Sequence, residues 1–370
     1  MIRTRSLGFI GVAILAGSAT TAICLGEAVG LVPARSTPFA RRAISPTPPQ
    51  PTGRLDQVLS SAKPWLTPVS GRPPSLRGKV ILVNFWTYSC INSLRALPYL
   101  KAWQTQYGGK GLVVVGVHAP EFAFEHDPAN VRLALRQLGV RYPTVQDNDF
   151  ALWRDFGNEG WPGFYILDAE GRVRGYRVGE GNYGDTEQLI RKLLAEAGQD
   201  IETLPLAPIR PTGIEAQADW KDLASPETYL GYAKVAEFGS PGGIQRDRPA
   251  RYAPAADLGL NSWDLAGTWT IGSEFATLNS TGSVRFHFRA RDAHLVLGGS
   301  PDGKPVAFRI TIDGEAPGAG HGVDVDAQGR GQVVEDRLYQ LVRQAGPVRD
   351  RTIRITFDRP GIRAYVFTFG

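Results

Sequence analysis

An apolar run, Lys79-Val-Ile-Leu-Val-Asn-Phe-Trp86, reaches Cys90 through Thr87-Tyr88-Ser89 and passes at once into a helical pattern. A strand without polar alternation has to be covered on both faces, so it belongs inside a layered α/β domain. The following segment supports this. Leu94, Leu97, Leu100 and Trp103 recur at helical spacing over 91–107, and a second continuous apolar run, "LVVVGV", occupies 112–117. Residues 128–138 begin with proline in the first turn and end at Gly139, which reads as a helix. "GFYILDAEGRVRGYRVG" at 163–179 reads as two strands joined by an Asp-Ala-Glu-Gly turn, and 185–197 as an amphipathic helix. Together these predict a three-layer α/β domain over 55–200.

The grammar then changes. After a linker at 201–226, residues 227–370 show short alternating runs such as "SVRFHFRA", "AHLVLGG", "VAFRITIDG", "RTIRITFD" and "RAYVFTFG", separated by Gly, Pro and Asp turns. That is the pattern of an all-β sandwich. At the other end, "MIRTRS" is followed by residues 7–32 with a single charge, Glu27. Residues 1–32 therefore read as an export signal or membrane anchor, and the Pro-rich stretch 33–54 as a spacer. An extracytoplasmic, periplasmic location follows, with a possible tether to the inner membrane through this segment. The formal net charge of +5 is spread along the chain rather than gathered in a stripe, which argues against nucleic-acid binding.

Of the two cysteines, Cys24 falls within the signal or anchor, so the exported part holds Cys90 alone. A cysteine delivered onto the first turn of a helix meets unpaired backbone N–H groups and the positive end of the helix dipole, which favour the thiolate. The partner expected three residues later is Ser93, giving Cys-x-x-Ser. Trp161-Pro162 precedes the strand "GFYIL", where a cis peptide bond would bring a backbone edge beside the sulfur.

The stretches "GKVILVNFWTYSCIN", "GLVVVGVHAPEFAFEHDPANV", "QDNDFALWRDF", "WPGFYILDAEGRVR", "SPETYLGY" and "GGSPDGKPVAFRITIDG" carry a resemblance. The chain resembles thioredoxin-like proteins of the TlpA/redoxin type, closest to the periplasmic thioredoxin-plus-sandwich part of DipZ-type electron-transfer proteins. The resemblance implies a thioredoxin fold with Cys90 as the exposed attacking cysteine, Pro98 as the kink in its helix and Pro162 as the cis-proline. It also implies that the second domain is carbohydrate-binding-module-like. Two departures stand out: the family's resolving cysteine is Ser93 here, and the many-helix membrane domain is absent. Serine cannot attack a mixed disulfide, so autonomous dithiol chemistry by one chain is not expected.

Three readings follow. Cys90 forms mixed disulfides that an external thiol resolves, acting on cysteine-containing envelope proteins or glutathione-type thiols as a monothiol reductase, deglutathionylase or isomerase. Alternatively it reduces peroxide through a sulfenic acid, with Thr87 three residues before it as in peroxiredoxins, although Val83 stands where their proline would be. Or the site is degenerate and the sandwich binds carbohydrate. Trp86, Tyr88 and Trp161 read as packing around the site, and His118 and Glu121 as proton shuttles or ordinary loop residues. Trp263, Trp269, Tyr339 and Tyr365 are either sugar-stacking or core. "HGVDVDAQGRG" at 321–331 resembles a calcium loop only loosely, lacking its sixth-position glycine and twelfth-position glutamate. No cofactor is implied, and five histidines without ligand spacing argue against a metal.

Overall fold

The computed structural model describes residues 58–59, 62, 64–67 and 74–370. The expected export or anchor segment, the Pro-rich spacer and Cys24 lie outside them. Among the described residues, no helix is long and apolar enough to cross a membrane.

The first sheet has the order β1-β4-β3-β2-β5-β6, formed by β1 (Trp65–Thr67), β2 (Val80–Trp86), β3 (Leu112–His118), β4 (Thr144–Gln146), β5 (Gly163–Leu167) and β6 (Val173–Val178). β2, β3 and β4 run parallel, while β5 and β6 complete it antiparallel. Every residue of β2 is buried, because its two faces meet different layers. Val80, Leu82 and Trp86 join the core under helices α1 (Ile91–Tyr107), α2 (Pro128–Gln137) and, later in the chain, the helix Tyr183–Glu196. Ile81, Val83 and Phe85 face Leu152 and Phe156, in and just after α3 (Ala151–Asp155). Tyr183–Glu196 is accordingly α4. The helix at 128 has Asp127 as N-cap, its carboxylate accepting from Ala129 N at 2.8 Å, and Gly139 just beyond it has φ +64°.

The second sheet is antiparallel, ten-stranded and curled. Its strands are β7 (Thr228–Tyr229), β8 (Ala250–Tyr252), β9 (Trp263–Ile271), β10 (Ala276–Arg289), β11 (Asp292–Gly298), β12 (Val306–Ile312), β13 (Arg330–Val333), β14 (Arg337–Arg343), β15 (Asp350–Phe357) and β16 (Arg363–Phe369). The long strand β10 makes the corner. Its first residues pair with β16 and, after an irregularity between Leu278 and Gly282, its remainder pairs with β15. The two leaves thereby face each other as a sandwich over a shared core. Trp263, Trp269 and Tyr339 lie in that core, at 0%, 0% and 1% exposure, and Tyr365 is 1% exposed against the first sheet's helices, so none offers a face to a sugar ring. The aspartates of 321–331 are also engaged: Asp324 holds Arg337 and Gln340 N, and Asp326 accepts from Gln328 N and Arg330 N.

The sandwich leans on the α1 face of the first sheet. Outward-pointing Val296, Leu338, Tyr365 and Val366 join the core that contains Leu94, Leu97 and Trp103. Phe122 and Phe124 pack their rings on Tyr365 at 5.0 and 5.1 Å. Arg95 of α1, 1% exposed, donates to Phe369 O at 3.4 Å and pairs with Glu180 at 3.3 Å. The segment read as the linker 201–226 is pinned rather than free. Ile201, Ala207 and Ala218 are buried, Lys101 pairs with Glu215 at 2.7 Å, and Ala207 N donates to Glu187 at 2.7 Å. Its sequence looked like a spacer because the anchoring contacts come one residue at a time, without periodicity.

Candidate active site

Cys90 is the N-cap of α1, with φ −86° and ψ 118°, and its carbonyl accepts from Leu94 N at 3.0 Å. The sulfur thus sits where the strand β2 hands over to the helix. Ser93, fully buried one turn on, pulls the thiol's pKa down through its hydroxyl and backbone. The Ser93 hydroxyl also accepts from Thr87 N at 3.4 Å. The Trp161–Pro162 peptide is cis, and Pro162 O accepts from Gly179 N at 2.8 Å. Trp161 is half-buried, and its indole donates to Ala119 O at 3.1 Å. Pro98 lies inside α1.

One expectation is overturned. Cys90 is 7% exposed, and burial pushes its thiol well above the ordinary range, with the charges of Glu121 and Glu227 adding to that rise. A helix N-terminus is worth about 0.3–2 kcal/mol to an anion, at most about 1.5 pKa units, and burial and two nearby carboxylates act against it. Burial thus opposes ionisation of the resting thiol, and a base placed to receive its proton would assist attack.

The loop that carries Cys90 is organised by Glu125, a residue the sequence pattern did not single out. Its buried carboxylate accepts from Ser89 N at 3.2 Å, the Ser89 hydroxyl at 2.6 Å, Glu121 N at 2.6 Å, Phe122 N at 3.1 Å and the Thr87 hydroxyl. Burial raises its pKa, and these bonds pull it down in part. One side chain therefore clamps 87–89 to 121–122, and with them the positions of Cys90 and Glu121. Glu121 is half-buried and receives the hydroxyl of Tyr229, from the second sheet.

His118 lies in the core at the end of β3 and not in a loop. It is fully buried, stacked on Tyr88 at 5.6 Å and edge-on to Trp86 at 5.5 Å, and burial lowers its pKa to about 3. Neutral and sealed from water, it fills the core at the end of β3. Trp86 and Tyr88 are likewise buried packing residues. Among the described residues, no group of side chains could hold a metal ion.

These ionisations set the pH range of stability. Burial raises Glu121 from 4.5 to about 8 and Glu180 from 4.5 to about 7, while it lowers His118 and His294 from 6.5 to about 3. The raised acids bind protons on folding, so their contribution is lost as pH rises toward their folded values; the lowered histidines release protons, so theirs is lost as pH falls. Above pH 6.5 only the acids change, and below 4.5 the histidines dominate. Melting temperature should therefore peak between those limits, and a value still rising at pH 8 would contradict the assignments.

A sheet of this order, a cysteine-capped helix after its central strand and a cis-proline loop beside it define a thioredoxin-like protein. A family described as "Thioredoxin-like" matches residues 78–173, and one described as "Thioredoxin like C-terminal domain" matches 225–370. Between them the two matches mark both sheets of the chain as thioredoxin-like, and the chain is similar to proteins of DipZ type. It is 34% identical to Protein DipZ of Mycobacterium tuberculosis over 316 residues, 83% of this chain and 41% of that one, so it spans about two fifths of that relative. It is also 29% identical over 138 residues to the thiol-disulfide oxidoreductase YkuV of Bacillus subtilis, 37% of this chain and 93% of YkuV. A solved thioredoxin-like protein in its oxidised form shares 27% identity, covering 40% of this chain and 96% of that one with a TM-score of 0.34. Of these three relatives, YkuV is the one described as a thiol-disulfide oxidoreductase.

Proposed function

We propose that this chain is an extracytoplasmic thiol–disulfide exchange protein working through the single sulfur of Cys90, with an external thiol completing each turnover. The observation that carries this reading is the pairing of Cys90 at the head of α1 with a hydroxyl, that of Ser93, where a dithiol protein needs its second sulfur. Cys90 attacks one sulfur of a disulfide and the other departs as a thiol; a second, external thiol then attacks the mixed disulfide and frees Cys90. Oxidation state is conserved at each exchange. Mixed disulfides of glutathione-type thiols and cysteines of envelope proteins are the substrate class. The extracytoplasmic setting rests on the weakly charged segment 7–32 behind two arginines.

The peroxidase alternative finds less support, because the Thr87 hydroxyl is turned to Glu125 and His118 instead of the sulfur. The direct test is glutathione-dependent reduction of a glutathionylated peptide. Wild type should turn over and Cys90→Ser should fall to background; equal rates would refute the proposal.

A further inference from the structure

The second sheet brings a pair of carboxylates close to the loop that carries Cys90. β7 is fixed on β16 by the pairs Tyr229↔Val366 and Thr228↔Phe367, and Leu230 N donates to Tyr365 O at 2.8 Å. This sets the Tyr229 hydroxyl between two carboxylates: it bonds Glu121 Oε1 and lies 3.1 Å from Glu227 Oε2. One hydroxyl proton serves one carboxylate at a time. Two carboxylates bridged in this way repel when both are ionised and therefore tend to hold a proton between them.

The pair is also tied to the sulfur. Glu121 N and Ser89 N donate to the same Glu125 carboxylate, which places Glu121 beside the residue preceding Cys90. The carboxylates of Glu121 and Glu227 both raise the Cys90 thiol's pKa, and Cys90 in turn raises that of Tyr229. Exposure rises outward, from buried Cys90 through half-buried Glu121 to exposed Glu227, so a proton passed along this line can leave for water. The other charged groups facing the pair are Glu125 from below and Lys234, whose ammonium lies 4.4 Å from the Tyr229 ring centre.

We propose that Glu227 and Glu121, bridged by Tyr229, share a proton and move it to and from Cys90 during exchange, so that the second sheet completes the site on the first. The proposal rests on the thiol-exchange reading. At attack the Cys90 S–H proton passes to ionised Glu121 as the sulfur bonds the disulfide, and the departing thiolate takes a proton back from the pair. No electrons or atoms are left over. Glu227 is a positioning residue: it acts through Glu121, holding that carboxylate's proton affinity near neutrality, where a general base is most effective.

The test uses the full chain and two reagents, oxidised glutathione, which requires proton return to a leaving group, and iodoacetamide, which reports the thiolate alone. Rates are measured from about pH 5 to 9, a range spanning the useful pKa values of a general base. Glu227→Gln should slow exchange near neutrality by about tenfold or more while speeding alkylation, because one opposing charge is gone. Its exchange profile should lose an inflection that Glu227→Asp restores, and Tyr229→Phe should shift the same inflection. Exchange that accelerates along with alkylation, or an unchanged profile, would overturn the role of Glu227 and leave the exchange reading intact. Wild type unreactive toward oxidised glutathione would overturn the exchange reading and this inference together.

Discussion

Ser93→Cys should convert a protein that leaves insulin disulfides at background into one that reduces them with dithiothreitol as electron source. Position 93 is fully buried one helical turn after Cys90, and its hydroxyl is near enough to lower that thiol's pKa. The replacement adds only the larger radius of sulfur and needs no movement of α1. With a second thiol in place the mixed disulfide on Cys90 is attacked from within, and release no longer waits for an external thiol. The variant should also oxidise to a disulfide between Cys90 and the introduced cysteine and lose two titratable thiols. Wild type reducing insulin at the variant's rate would mean that Ser93 is not what limits the native site.

The second large effect is on stability. Glu125→Ala removes the acceptor for three backbone N–H groups, those of Ser89, Glu121 and Phe122, and for the hydroxyls of Thr87 and Ser89. Each buried donor left unpaired costs about 1–3 kcal/mol, and water entering the vacated space recovers part of the sum, so a net loss of about 3–5 kcal/mol is expected. Against a usual domain stability of about 5–15 kcal/mol this is a severe change. Urea unfolding should show a lower midpoint with the same slope. A loss below about 1 kcal/mol would show that the carboxylate is not the clamp of the loop.

The contrast between Glu125 and Cys90 shows what was legible in the chain. Cys90, Ser93 and Pro162 could be found because strand, helix and turn signals bracket them locally, and β2, α1 and β3 were readable from periodicity alone. β1, β4 and α3 were not, being three to five residues long, too short for a period to show. The strands of the sandwich announced their alternation, but nothing in one dimension says that Val296, Leu338 and Tyr365 point away from their own core onto α1. Cys90 itself is buried, where the family resemblance implied an exposed sulfur. Packing between the sheets hid Glu227 and Tyr229: "SPETYLGY" reads as a domain edge, and only the docking of β7 beside Glu121 gives it chemistry. Glu125 carried a faint signal, an acidic residue in an apolar stretch four places after Glu121, without a pattern to mark it as buried.

The central claim is that Cys90 in the folded protein exchanges disulfides through one sulfur. Its most direct test is the intact mass of the native chain after incubation with oxidised glutathione, followed by reduced glutathione. The account predicts one glutathione adduct, located at Cys90, that forms without denaturant and is released by the added thiol. An adduct that forms only after unfolding, or one that reduced glutathione cannot remove from the folded chain, would contradict it.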